Sequence, residues 1–357
     1  MTREFRIGSH VLTDEDGASF VIAEIGHNHQ GNLETCKQLF KAAVDAGAHA
    51  VKLQKRDNRA LFTATMYNAS YDSENAYAPT YGRHREFLEF DRDHYLELKK
   101  YAQELGTIFF STAFDFPSVD FLEEIDLPAF KIASGDLTNT PLLKYVASLG
   151  KPVIVSTGGG TMADVRRAYE TIMPINSNLC IMQCTSGYPP SHEELNLRVI
   201  ETFRREFPDI IIGFSSHDSG IAMPLLGYML GARVFEKHFT LNRAWKGTDQ
   251  AFSLEPGGLR RVVRDLARAR VALGDGVKRR FESENAPLYK MGKKIVAAAD
   301  LTKGTVLSAK DLTFKSPNDG VPPYMAEHFF GKTLIVDLKK DDAVTFECIG
   351  ATTPVAG

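Results

Sequence analysis

No stretch of this chain approaches the ~20 consecutive apolar residues that a helix needs to cross a bilayer. Residues 1–20 also lack the apolar core of a secretory signal. Cysteine is scarce: 357 residues carry four, Cys36, Cys180, Cys184 and Cys348, and they show no metal-ligand spacing. Reduced thiols are the simplest expectation for such a set. There is no excess of one charge either. Lys and Arg number 42 against 45 Asp and Glu, a net charge of -3, which argues against broad electrostatic attraction to nucleic acid or an anionic membrane. The expectation is a cytoplasmic enzyme with neither of those as a partner.

What the chain has is a repeated alternation. Eight short apolar runs, at 20–26, 50–56, 107–114, 129–134, 152–157, 179–185, 209–217 and 233–238, are separated by stretches with helical spacing. Strand–helix alternation of this kind predicts a parallel sheet, and eight units predict a closed (β/α)8 (TIM) barrel. Each run ends in polar residues: Glu24, Lys52, Thr112, Lys131 with Ser134, Ser156, Thr185 with Ser186, Ser215 with His217, and His238. The C-terminal ends of barrel strands converge on one mouth. A carboxylate, two lysines, several hydroxyls and two histidines gathered there suit an anionic substrate and a metal.

The length exceeds the roughly 250 residues of a typical barrel and leaves room for a second domain. The expected division is a barrel over 1–280, a linker over 281–293, and a small β-rich module over 294–357 with turns at Lys303-Gly304, Pro317-Asn318-Asp319-Gly320 and Pro322-Pro323. Residues 1–19 predict a hairpin under the barrel with Asp16-Gly17 at its turn. The long segment 57–92 follows the second strand; it reads equally as a cover for the mouth and as an ordered surface excursion. Thr161 with Asp164 reads as a capping box.

His217 and His238 end consecutive strands, so their imidazoles can converge on one divalent cation with positions left for water and substrate. Glu236 alternates with His238, either as an outer ligand or as a core-facing partner of Lys237. Lys52 and Lys131 each need an anionic partner, because an unpaired buried ammonium is very costly; a substrate phosphate or carboxylate and a structural pairing with Glu24 are the two options. Ser134, Ser156, Ser215 and Thr112 add neutral donors. Gly158-Gly159-Gly160 lets backbone amides approach an anion. Asp249 is either a ligand for sugar hydroxyls or an Asx turn, Glu255 starts the last barrel helix, and Trp245 either packs on a sugar face or covers the rim.

Taken in order, these segments resemble the sialic acid synthase family over nearly the whole chain. The resemblance is carried by Ala23-Glu24-Ile25-Gly26-His27-Asn28-His29, Val51-Lys52-Leu53-Gln54, Lys131-Ile132-Ala133-Ser134-Gly135-Asp136 and Ser156-Thr157-Gly158-Gly159. It continues through Cys184-Thr185-Ser186-Gly187-Tyr188-Pro189, Glu236-Lys237-His238-Phe239-Thr240 and Ser253-Leu254-Glu255-Pro256. The module resembles the antifreeze-like (SAF) domain through Lys294-Ile295-Val296-Ala297-Ala298 and Asp300-Leu301-Thr302-Lys303-Gly304. The resemblance implies a metal-dependent condensation of phosphoenolpyruvate with a sugar aldehyde. It implies Mn2+ or Mg2+ on His217 and His238, and phosphoenolpyruvate on Lys52, Thr112, Lys131, Ser134, Ser156 and Ser215. The sugar would meet Asp136, Ser186, Tyr188 and Asp249, with Glu24 beside the reacting carbons. A domain-swapped homodimer is implied as well.

The chain departs from the family pattern in three places. Ser216 precedes His217 where many members have Asp, and Gln250 follows Asp249 where many have His. Lys315-Ser316-Pro317 lacks the arginine that several bacterial members carry between lysine and proline. N-acetylmannosamine leads a set of amino and deoxy hexoses as the expected substrate. A Schiff-base aldolase using Lys131 or Lys52 and a carbohydrate-binding protein are the alternatives.

Overall fold

The computed structural model describes residues 3–350. The chain divides into two compact units, Met1–Gly274 and Asp275–Gly357. In the first, a hairpin of β1 (Glu4–Ile7) and β2 (His10–Thr13) precedes eight parallel strands. These are β3 (Phe20–Gly26), β4 (Ala50–Lys55), β5 (Ile108–Ala113), β6 (Phe130–Ile132), β7 (Val153–Ser156), β8 (Leu179–Cys184), β9 (Ile211–Ser216) and β10 (Val234–His238). They close in sequence order, with β10 pairing β3, into the (β/α)8 barrel that the alternation predicts.

Strand alternation sorts the residues into two shells. Val21, Ala23, Val51 and Leu53 face outward and pack beneath the helices. Phe20, Ile22, Ala50, Phe110, Ile154, Ile211 and Val234 face inward near the strand starts, where Phe5, Ile7 and Leu12 of the hairpin seal the bottom. The same inward series turns polar toward the strand ends, as Phe20–Ile22–Glu24 and Val234–Glu236–His238 illustrate. One end of the barrel is thus a hydrophobic plug and the other a polar mouth.

Two local expectations are corrected. The hairpin turns at Gly8-Ser9, because Ile7 pairs directly with His10 and Gly8 takes φ +54°; Asp16-Gly17 follows β2 instead. The glycine run opens a helix, Met162–Ile172, through the expected Thr161–Asp164 capping box. Its Gly158 amide already donates to Ser134 Oγ at 2.9 Å, so that N–H is not free for an anion.

Segment 57–92 is ordered. It contains helices Asn58–Leu61, Ala64–Asn68 and Tyr81–Phe87, and a Ser70–Thr80 bridge. It is fastened to the loop after β10 by Tyr77 Oη donating to Lys246 O at 2.8 Å and Gly247 N donating to Asn75 Oδ1 at 2.9 Å.

The second unit pairs β11 (Lys294–Ala297) antiparallel with β12 (Leu312–Lys315) over a core that includes Ile295, Leu307, Phe329, Leu334, Val344 and Phe346. Gly304 takes φ +90° at one of the expected turns. The stretch read as a linker is a 3-10 turn, Glu282–Glu284, followed by a helix, Asn285–Met291. Its short apolar repeat was too brief to stand out by periodicity. Residues 351–357 of the expected module lie outside the described residues.

Candidate active site

A cavity of about 470 Å³ opens at the polar mouth, within the size range of small-molecule sites. Register builds its floor. Glu24 on β3 pairs with Lys52 on β4 and with His238 on β10, and Ser215 on β9 pairs with Glu236 on β10. Residues in register share a face, so these side chains point into the barrel together.

Lys52 Nζ lies 2.5 Å from Glu24 Oε2 and 3.7 Å from Glu236 Oε2, and donates to Thr112 Oγ1 at 2.7 Å. Lys131 Nζ donates to Ile132 O at 3.0 Å and lies 3.9 Å from Glu236 Oε1. Two lysines and two carboxylates, all nearly solvent-free, therefore share one charge cluster. Burial raises the Glu24 carboxyl above its ordinary range, and Lys52 offsets only part of that. Burial would raise Glu236 too, but Lys131 and Lys52 outweigh it and hold it at about 2. The Lys131 ammonium is lowered by burial, partly offset by Glu236. Ser156 Oγ is buried with no hydrogen-bond partner among the described residues, a donor left for a ligand.

The His217 and His238 rings are 5.2 Å apart. His217 Nδ1 is fixed by Thr185 O at 3.0 Å. His238 Nδ1 is buried without a hydrogen-bond partner and sits 3.6 Å from Asp249 Oδ2. Burial lowers His238 to about 3, so at neutral pH it is an uncharged imidazole, the form that ligates metals. Among the described residues no three His, Cys, Asp or Glu side chains gather as a metal-holding group. Burial would lower His217, but its contacts with Cys184 and Thr185 outweigh it and raise that imidazole. The neutral His238 ring with its orphaned nitrogen, beside His217, fits a divalent cation that takes its other ligands from water and substrate. The Tyr188 ring lies 4.3 Å from that of His217.

The cavity brings together Glu24, Lys52, Thr112, Lys131, Ser134, Ser156, Ser186, Tyr188, Ser215, His217, His238 and Asp249. Asp136 is the exception. It sits in the 3-10 turn Ser134–Asp136, outside the lining, and its Oδ1 accepts from Asn139 Nδ2 at 3.1 Å. Trp245 does not line the cavity either. Glu236 faces the cavity, where Oε1 accepts from Ser215 Oγ at 3.2 Å. It is not the partner of Lys237, which turns outward and pairs with Asp218 at 3.0 Å.

Gln54, Arg56 and Cys184 also line the cavity and were not singled out from the sequence, nor was Arg85 from the 57–92 segment. Gln54 and Arg56 continue the inward alternation of Lys52, a signal present in the sequence. Gln54 Nε2 donates to Glu24 Oε1 at 2.6 Å, and Arg56 donates to Gln54 Oε1 at 2.6 Å.

Residues 39–278 match the NeuB family model and residues 294–349 match the SAF domain model. The N-acetylneuraminate-9-phosphate synthase of Homo sapiens is 40% identical over 331 residues, 92% of this chain and 92% of that protein. The N,N'-diacetyllegionaminic acid synthase of Legionella pneumophila is 36% identical over 341 residues, 93% of this chain and 95% of that one. The crystal structure of the N-acetylneuraminic acid synthetase of Leptospira borgpetersenii superposes with a TM-score of 0.70 at 31% identity, over 80% of this chain and 95% of that chain. A Thermotoga maritima DAHP synthase, TM-score 0.60 at 15% identity, shares the fold. This chain belongs to the NeuB family: it is an enzyme, a (β/α)8-barrel synthase with a C-terminal SAF domain.

Proposed function

We propose that the chain condenses phosphoenolpyruvate with an N-acetylhexosamine-type aldehyde, N-acetylmannosamine or a related amino or deoxy hexose, to give a nonulosonic acid and phosphate. The observation that carries this reading is the single cavity joining two buried lysines, an unpartnered Ser156 hydroxyl and two converging imidazoles. The names of the relatives, synthases of sialic- and legionaminic-type acids, support the product class.

In this reading Lys52, Lys131, Thr112, Ser134, Ser156 and Ser215 bind the phosphate and carboxylate of phosphoenolpyruvate and hold its carbon 3 toward the sugar. A divalent cation on His217 and His238, Mn2+ or Mg2+, supplies Lewis acidity toward the aldehyde oxygen. Ser186, Tyr188 and Asp249 meet the sugar; Asp136, outside the cavity, is left out of that set. The enol π electrons of phosphoenolpyruvate form the new carbon–carbon bond to the aldehyde carbon, whose oxygen takes up a proton. Positive charge develops at carbon 2, where water adds and gives up a proton. The carbon 2–oxygen bond to phosphate then breaks with its electron pair leaving on the phosphate oxygen, and the carbon 2 hydroxyl gives up its proton to become the ketone. Glu24 faces this charge as a stabilising carboxylate or as the base for water. Its elevated pKa and its link through Gln54 to the upper cavity support that role.

The test joins turnover to metal binding. A panel of N-acetylhexosamines with phosphoenolpyruvate and Mn2+ is expected to release phosphate, chelation to stop it, and His238→Ala to lose Mn2+ binding measured by calorimetry. Full turnover by His238→Ala in excess chelator would contradict the metal assignment. Covalent trapping of pyruvate on Lys131 or Lys52 by borohydride would instead favour the Schiff-base alternative.

A further inference from the structure

Behind the histidine pair lies a buried lysine–carboxylate pair that the reaction above does not use. Lys237 stands between Glu236 and His238 on β10, and strand alternation turns its side chain away from the cavity, whose lining it does not join. Its ammonium is buried. So are Ser216 and Asp218, the residues on either side of His217.

Lys237 Nζ donates to Asp218 O at 2.5 Å, to Asp218 Oδ1 at 3.0 Å and to Ser216 Oγ at 3.4 Å. An ammonium has three donors, and here all three go to the two residues that flank His217. Ser216 Oγ in turn donates to Asp218 Oδ1. Register makes the reach possible, because Lys237 pairs with Ser216 across the β9–β10 ladder. One side chain next to His238 thus grips the chain just before and just after His217.

Little else holds that turn. Among the described residues, 218–220 make no backbone-to-backbone hydrogen bond, and the helix that follows, Ala222–Met229, has no side-chain cap. His217 is tied on its other side through Nδ1 to Thr185 O at 3.0 Å.

Stability alone does not ask for such a pair. A buried ion pair is often no better than apolar residues of the same volume, and the outward positions of β3 and β4 hold Val21, Ala23, Val51 and Leu53. What the pair adds is direction, since its hydrogen bonds fix where the chain goes. Here they fix the strand end bearing His238 against the turn bearing His217, whose rings stand 5.2 Å apart. With two protein ligands, no third side chain corrects an error in that spacing, so the groups behind the imidazoles must set it.

We propose that Lys237, Asp218 and Ser216 are positioning residues for the metal site, bracing the His217 turn against the His238 strand and so setting the spacing of the two imidazoles. This rests on the metal assignment in the synthase reading and adds to it residues that touch neither cavity nor substrate.

The test titrates the full-length chain with Mn2+ alone by calorimetry and follows the bound ion by electron paramagnetic resonance. Lys237→Met combined with Asp218→Asn removes both charges at similar volume and leaves no unpaired ion buried. Mn2+ affinity should fall about ten- to a hundred-fold, the usual loss when the groups behind a metal ligand are removed, and the signal of the bound ion should broaden. Phosphoenolpyruvate binding without metal should be unchanged, because Lys52 and Lys131 are untouched.

A lowered melting temperature with wild-type Mn2+ affinity and signal would overturn the proposal and leave a structural ion pair only. Equal losses of Mn2+ and phosphoenolpyruvate binding would overturn it as general damage to the barrel. Ser216→Ala removes one neutral acceptor and should weaken Mn2+ roughly two- to ten-fold; if the double variant does not fold, wild-type affinity in Ser216→Ala overturns the brace. His238→Ala separates the two readings. Mn2+ binding lost there but untouched in the brace variants overturns the brace alone, whereas a wild type that binds no Mn2+ overturns the metal assignment and the brace together.

Discussion

At the scale of single residues, charge is held at the cavity floor by mutual burial. Lys131 is the sharpest probe of whether that charge serves a ligand. Lys131→Met keeps most of the side-chain volume and leaves Lys52 beside Glu236, so the fold should survive. If the ammonium binds phosphoenolpyruvate, affinity should fall by about ten- to a hundred-fold, the usual loss for a hydrogen bond to a charged group. Unchanged binding by calorimetry would make Lys131 a structural ion-pair member only. Most of this residue set was legible in the sequence because a strand-end position and a polar side chain coincide in Glu24, Lys52, Lys131, Ser215 and His238. Asp136, placed at the sugar by the resemblance alone, sits in a 3-10 turn outside the cavity lining. Glu236 was ambiguous because a one-residue change in strand phase reverses its face; pairing with Ser215 fixes that phase. Arg85 was invisible: it reaches the mouth through a long connection whose path no periodicity encodes.

At the scale of elements, the barrel strands and helices follow from alternation and helical spacing, and the polar-to-apolar gradient along each strand orients the mouth. The hairpin beneath is held differently, by a half-buried polar clamp. Asp14 pairs with Arg3 at 2.5 Å and with Arg204, on the helix Val199–Glu206, at 2.9 Å. Burial would raise the Asp14 carboxyl, but hydrogen bonds from Arg204 and Arg3 outweigh it and lower the pKa below its ordinary 3.8. A carboxylate depressed by folding stabilises the fold above its unfolded pKa, and that contribution fades as pH falls through the folded value. Asp14→Asn should therefore cost about 1–3 kcal/mol at pH 7 and progressively less below pH ~4. Urea unfolding of both proteins across this range checks it; a gap that stays constant with pH would show that the clamp does not act through charge. The hairpin turn itself was misplaced because Asp-Gly and Gly-Ser are both turn dipeptides, and only the Ile7–His10 pairing distinguishes them.

At the scale of the whole molecule, the chain carries two separately cored units, and the family resemblance implies that they work together only in a homodimer. We propose that form as the active one. A chain ending at Gly274 should retain a folded barrel by circular dichroism and Mn2+ binding by calorimetry, yet lose most turnover; full activity of such a chain as a monomer would contradict this. The central claim concerns the bonds made and broken in the barrel cavity. The most direct measurement supplies phosphoenolpyruvate labelled with 18O at the oxygen bridging carbon 2 and phosphorus, together with N-acetylmannosamine or its 6-phosphate, and follows both products by mass spectrometry. The account predicts one released phosphate per product, the label in that phosphate, and an organic product whose mass is the sum of aldehyde and pyruvate. Label retained in the organic product, or phosphate released without a new carbon–carbon bond, would contradict it.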